Sequence, residues 1–214
     1  VCTQNHDQVG NRALGDRPTT TLSAGQARLA AALLLASPFT PMLFQGDEWG
    51  TETPFQYFSS HEDPALAAAV TEGRRQEFAA FDWSPDQVPD PQARSTFERS
   101  ILQWSDLDEP HHKAQLDWCR ELIALRRARP ELHDPDLAAI DVHVDPDRRV
   151  LTVDRGALRV VANLGTDEQD IPCQPSWSIV TASAPLPDSP SGRLTIPGEA
   201  AVILEVRGGP RPMP

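Results

Sequence analysis

Two stretches of the sequence place groups able to recognise hydroxyls or carry charge directly after a short run of strand-forming residues. The first is Val1-Cys2-Thr3-Gln4, which runs into Asn5, His6 and Asp7. The second is Thr40 to Gln45, ended by Gly46 and followed by Asp47 and Glu48. A rigid strand fixes a side chain at its end while the following loop leaves room for a ligand, which is how parallel barrels present their catalytic groups. Asn5-His6-Asp7 also reads as a polar turn after a buried strand. Asp47 and Glu48 read either as acceptors for ligand hydroxyls, a task suited to adjacent carboxylates, or as solvated loop acids paired with an arginine. Trp49, Phe55, Tyr57 and Phe58 offer flat apolar faces to a ligand or fill a packed loop.

The elements that must hold these groups follow from local signals. Ser23 with Gln26 three residues later is a capping-box pattern, and the Ala- and Leu-rich run to Ala36 favours a helix that stops before Pro38. That helix is apolar nearly all round, as expected where it is covered on both sides. With strands expected before residue 5 and over Thr40 to Gln45, the order is strand, helix, strand, the repeat unit of a parallel barrel. A second Ala-rich helix is expected from Asp63-Pro64 to about Ala80. Its Glu72/Arg75 and Arg74/Glu77 pairs at i,i+3 predict a salt-bridged solvent face. Asp82 to Pro91 reads as a long loop. Glu109-Pro110 opens a helix with Leu116, Cys119 and Ile123 on one face, Arg126, Arg127 and Arg129 complementing its dipole, and Pro130 ending it. His111 and His112 are adjacent, so they point about 100° apart on a helix, and no carboxylate follows at i+4; surface histidines are expected and no metal.

Beyond Leu132 the texture changes to short β-branched runs: Ala139 to Val144, Val150 to Asp154, Leu158 to Leu164, Ser178 to Ala182, Leu194 to Pro197 and Ala200 to Val206. Asp145-Pro146-Asp147, Gly156, Gly165 and the Pro-rich Pro185 to Gly192 separate them, the spacing of an antiparallel sandwich. It carries no concentrated set of catalytic residue types.

Composition narrows the function. Nineteen Lys and Arg against 31 Asp and Glu give a net charge of −12 over 214 residues, which repels phosphate backbones and anionic membrane surfaces. Nucleic acid and membrane are therefore not expected as partners. The three cysteines, Cys2, Cys119 and Cys173, are odd in number and widely spaced, so neither a disulfide framework nor a zinc site is suggested, and a cytoplasmic location is expected. No run of roughly 18 uncharged apolar residues is present, so a soluble protein is expected. No glycine-rich phosphate loop or calcium loop occurs.

The string Asn5-His-Asp-Gln-Val-Gly-Asn-Arg-Ala-Leu-Gly-Asp-Arg17 resembles the last signature region of the alpha-amylase family of glycoside hydrolases, in which a strand end carries a His-Asp pair. Pro41-Met-Leu-Phe-Gln-Gly-Asp-Glu-Trp49, the run Thr53 to Pro64 continuing through Gly73 to Phe78, and Val88 to Phe97 agree with it. The resemblance is strong to about Pro130 and beyond that is one of domain type. It implies an α/β fold: residues 1–131 as the C-terminal part of a catalytic (β/α)8 TIM barrel, with its last two strands and their helices, and residues 132–214 as a small antiparallel β-sandwich domain. A complete barrel takes about 250 residues, so a fragment is expected. The activity implied is that of a glycosidase cleaving the α-1,4 bond next to the terminal trehalose unit of maltooligosyl trehalose or a related α-glucan, without a cofactor. The family's nucleophile and general acid/base lie on the fourth and fifth strands, so the chain alone is expected to be inactive without the N-terminal part of the same barrel. Asp7 takes the role of transition-state stabiliser, and His6, Gln8 and Glu48 those of substrate-binding residues. The alternatives are another alpha-amylase-family enzyme, such as a glycogen branching enzyme, or a non-catalytic glucan-binding module.

Overall fold

Ser23 begins the central helix as foreseen. Its hydroxyl accepts from the Gln26 backbone N–H and the Gln26 side chain accepts from the Ser23 N–H, so the capping box is closed in both directions. In this computed structural model, which describes residues 1–186 and 192–206, five α-helices and seven strands are assigned. The helices are α1 His6–Gly10, α2 Ala24–Ala36, α3 Pro64–Ala79, α4 Arg94–Arg99 and α5 Pro110–Ala128. The strands are β1 Ile140–Asp145, β2 Val150–Arg155, β3 Leu158–Asn163, β4 Gln169–Pro172, β5 Ser178–Ala182, β6 Arg193–Ile196 and β7 Ala200–Glu205. The chain divides into two compact units, one of residue 1, residues 22–42 and residues 113 onward, the other of residues 2–21 and 43–112.

In the first unit, five strands pair antiparallel in the order β1-β2-β3-β7-β5, and β4 pairs with β6 as a separate ribbon. β3 is buried throughout and β7 almost so, because both faces of the sheet are covered, and this explains their continuous apolar runs. The period of two sorts their side chains. Leu158, Val160, Ala162, Ala201 and Ile203 meet Leu29, Ala32, Leu35 of α2 and Trp118, Leu122 of α5. Val161, Ala200, Val202 and Leu204 instead meet Ile171, Leu194 and Ile196 of the ribbon, with Trp177. A small residue at Ala32, fully buried, lets α2 approach this sheet closely.

Arginines tie α2 to this layer. Arg126 of α5 donates to the carbonyls of Leu35, Ser37 and Phe39, and Arg155 of β2 donates to those of Ala36, Leu132 and Asp134. The last carbonyls of α2 have no partner within the helix and take these cations instead. At the other end Glu199 accepts from the Ser23 hydroxyl and the Gln26 amide.

Several expectations need correction. Residues 1–5 and 40–45 are not regular strands. Val1 N donates to Thr40 O at 2.9 Å and Met42 N to Val1 O at 2.8 Å, one rung of a parallel pair and too few hydrogen bonds to define a ladder. β4 was not foreseen, because Gln169-Asp170-Ile171-Pro172 buries a single apolar side chain. The buried face of α5 runs through Gln115, Trp118, Cys119 and Leu122, one residue round from the face expected, and Leu116 and Ile123 are half-buried. Within the first unit, α2 and α5 bury their apolar faces on the sheet that follows residue 131. Of the Pro-rich connection expected over residues 185–192, residues 187–191 lie outside the described residues.

Candidate active-site segment

The second unit carries all four candidate residues, and it is built from the turn outward. Asn5 is extended (φ −149°) and its side chain accepts from the Gln8 N–H, an N-cap that starts α1 immediately after the extended segment. His6, Asp7 and Gln8 therefore stand in the first turn of a five-residue helix, all three exposed. His6 Nε2 lies 3.0 Å from Asp7 Oδ1. The sequence expectation had these residues ending a strand; they begin a helix instead, because Asn5 caps forward.

The segment before Asn5 is held by Asp47. Its Oδ2 accepts from the Thr3 hydroxyl at 2.9 Å and its Oδ1 from the Gln4 amide at 2.5 Å. The amide oxygen of the buried Gln4 accepts in turn from Arg17. Arg17 is 1% exposed; its Nε donates to Thr53 O at 2.6 Å and its guanidinium lies 5.0 Å from the centre of the Phe44 ring. Burial pushes its pKa down, with Asp47 and Glu48 opposing the shift. Glu48 is half-buried, and its Oε2 accepts from the Gly46 N–H at 3.0 Å, folding the side chain back over its own turn. Gly46 itself has φ +87°, and a Cβ there would sit 2.4 Å from Thr51 Cγ2.

The segment after α1 is held just as firmly. Phe55 N donates to Gly15 O at 2.8 Å, Gly15 has φ +66°, and an added Cβ would come within 2.5 Å of Phe55 O. Arg74 is buried, not on a solvent face: its Nη2 donates to Gly10 O at 2.6 Å and Arg12 O at 3.2 Å, and its guanidinium lies over the rings of Tyr57 and Phe78. Glu77 stands at its edge at 3.9 Å, and Glu72 accepts from Gln76 rather than pairing with Arg75. A sequence signal for this existed in Phe78, placed at i+4 from Arg74 on an otherwise Ala-rich helix.

The aromatic candidates divide. Phe44, Phe55, Phe58 and Phe97 form a chain of edge-to-face contacts, and Trp49 is buried against Trp104 at 5.2 Å. Trp104, which sequence reasoning passed over, is 67% exposed. His112 is buried rather than on the surface, with Nδ1 2.8 Å from Trp49 O. Among the described residues no group of three or more His, Cys, Asp or Glu is placed to hold a metal ion, and no helix is long and apolar enough to cross a membrane.

The crystal structure of a candidate alpha amylase from Salmonella typhimurium superimposes with a TM-score of 0.79 at 34% identity, covering 95% of this chain and 34% of that one. An alpha-amylase from H. orenii shares the fold, with a TM-score of 0.59 at 18% identity over 96% of this chain and 39% of its own. The chain thus resembles part of an alpha amylase in fold and in sequence. Its curated sequence relatives include malto-oligosyltrehalose trehalohydrolases. The one from Mycobacterium tuberculosis (strain CDC 1551 / Oshkosh) is 45% identical, covering 80% of this chain and 29% of the relative. The one from Arthrobacter ramosus is 44% identical, covering 94% and 34%. The family described as a domain of unknown function, DUF3459, matches residues 135–203. The chain spans about a third of the length of the curated relatives it matches.

Proposed function

We propose that the chain is the C-terminal part of an enzyme that hydrolyses the α-1,4 bond next to the terminal trehalose unit of maltooligosyl trehalose, releasing trehalose. The observation that carries this reading is Asn5-His6-Asp7 itself: a capped turn that presents an imidazole and a carboxylate 3.0 Å apart to solvent, in a chain 45% identical to a trehalohydrolase. Residues 1–131 then supply the last part of a (β/α)8 barrel, whose remaining strands pair with the extended segments 1–5 and 40–45. Residues 132–214 form the closing β domain.

Asp7 accepts hydroxyls of the sugar at the cleavage point and places a negative charge beside the oxocarbenium-like transition state. That interaction is stronger in the transition state than in the ground state, which is what lowers the barrier. His6 and Gln8 bind hydroxyls of the same sugar. Glu48 has one carboxylate oxygen engaged with Gly46 N, so it contributes through the other. Retaining hydrolysis also needs a nucleophilic carboxylate and an acid/base carboxyl about 5–5.5 Å apart, and these come from the rest of the barrel. The isolated 214-residue chain should therefore release no trehalose above a heat-killed control.

The decisive experiment is Asp7→Asn in the full-length enzyme. Loss of the charge with the shape retained should lower kcat by about 10²-fold while KM changes far less. A variant that is destabilised yet turns over at the parent rate would remove Asp7 from the catalytic set.

A further inference from the structure

We infer that Arg74 is a positioning residue for the reaction, holding the α1 turn so that His6 and Asp7 meet the substrate; this rests on the role proposed above for that turn. α1 has only five residues, too few to be stable by itself. Its start is held by the Asn5 cap and by Asp47 acting on Thr3 and Gln4. Its end has no such side-chain cap of its own: Asn11 continues as αR backbone with N–H bonds to Asp7 O and Val9 O.

The carbonyls at and just beyond that end are where Arg74 acts. One nitrogen, Nη2, reaches both Gly10 O and Arg12 O, the first bond buried and the second partly so. The guanidinium lies over the rings of Tyr57 at 4.8 Å and Phe78 at 4.9 Å, contacts that add to the carbonyl bonds in holding it in place. The residue is 7% exposed, and the nearest carboxylate, on Glu77, is 3.9 Å away and half in solvent. Burying a cation with so weak a counter-charge is unfavourable unless carbonyl acceptors and ring faces compensate. A surface-pairing role would leave this arrangement unexplained. The next fixed point downstream is Gly15, wedged on Phe55. Between the two the chain is held by the buried Ala13, packed with Phe78 and Val88, by Gln56 Nε2 donating to Leu14 O at 3.2 Å, and by the Arg12–Asp16 pair. Release of Arg74 therefore loosens the C-terminal end of α1, at Gly10 and Arg12, and displacement of the order of 1 Å at a reacting group is enough to cost about 10²-fold in rate.

The test compares Arg74→Gln, Arg74→Lys, Asp7→Asn and the double variant Asp7→Asn/Arg74→Gln in the full-length enzyme, measuring kcat and KM for trehalose release from maltooligosyl trehalose. Arg74→Gln should lower kcat by about 10-fold to 10²-fold with KM changed by less than about 3-fold. Arg74→Lys should recover part of that loss, since it keeps the charge but not the two-carbonyl reach. If Arg74 acts through the turn, the double variant should be no slower than Asp7→Asn alone, because groups that work as a unit are not additive. Losses that multiply in the double variant would overturn the inference, as would an Arg74→Gln enzyme with parental kcat beside an impaired Asp7→Asn. Full activity of Asp7→Asn would overturn the reading of the turn itself and the inference with it. Should Arg74→Gln fail to fold, Arg74→Lys and its double with Asp7→Asn decide by the same comparison.

Discussion

Arg155→Met separates two opposing effects at the junction of α2 with the sheet. The arginine is 2% exposed and donates to three carbonyls, Ala36 O at 2.7 Å, Leu132 O at 3.0 Å and Asp134 O at 2.8 Å. Methionine keeps most of the stem and loses every donor. The bonds to Ala36 and Leu132 are buried, and an orphaned buried acceptor costs about 1–3 kcal/mol; the Asp134 carbonyl, partly exposed, recovers water. Working the other way, burial pushes the Arg155 guanidinium down from its ordinary pKa and its Nε has no partner, so its removal returns some desolvation energy. Two orphaned carbonyls outweigh that return, and a net loss of about 2–4 kcal/mol is expected, equivalent to ~5–15 °C in Tm for a chain of this size. Urea denaturation followed by tryptophan fluorescence, with Trp118 and Trp177 reporting from the two faces of the sheet, measures it. Arg155→Lys should restore at most one of the three bonds. A methionine variant as stable as the parent would show that the desolvation cost is the larger quantity and refute the reasoning.

Gly15→Ala should destabilise by about 1–3 kcal/mol and lower kcat, because φ +66° is strained for alanine and the new Cβ would meet the Phe55 carbonyl at 2.5 Å; equal kcat and stability by kinetic assay and thermal melt would contradict it. Of the three cysteines, Cys2 alone should react with a thiol reagent at pH 8 in the folded chain, since Cys119 is 1% exposed and burial pushes the Cys173 thiol up to about 11; mass spectrometry of labelled peptides checks this. Arg129 bonds Glu131 and Glu205 and holds the Glu131 carboxyl below its ordinary 4.5. A depressed carboxylate pKa stabilises above the ordinary value and is lost as pH falls through the folded one. The Tm gap between parent and Arg129→Gln should therefore be widest near neutrality and close below about pH 4.5; a gap constant from pH 7 to 3 would speak against it.

Local grammar was legible where the determinant is local. Ser23 and Gln26 announced α2, Asp63-Pro64 announced α3, and β-branched runs announced six of the seven strands. Sequence likeness pointed to Asn5-His6-Asp7, yet the cap that makes it a helix start is set by which way Asn5 turns, a choice made by backbone geometry. What escaped was the set of long-range partners. Arg74 and Glu77 have the spacing of a solvent pair, but Gly10 and Arg12, more than sixty residues earlier in the chain, claim the guanidinium. His112 reads as a surface residue until Trp49 O takes its ring nitrogen. Arg126 stands in the last turn of its own helix and bonds the end of another.

The first compact unit has a consequence for how the protein is made. Its helix α2 ends at Ala36, but the sheet face that covers Leu29, Ala32 and Leu35 is completed only by β7, ending at Glu205. At about 5–20 residues per second, α2 waits on the order of 10–30 s before its covering strands exist. During that interval an almost wholly apolar helix has only part of its native cover, first α5 and then β3. The nascent chain is thus expected to depend on chaperones between synthesis of α2 and of β7, and ribosome-bound intermediates stalled before β7 should aggregate or be captured, whereas those stalled beyond it should not.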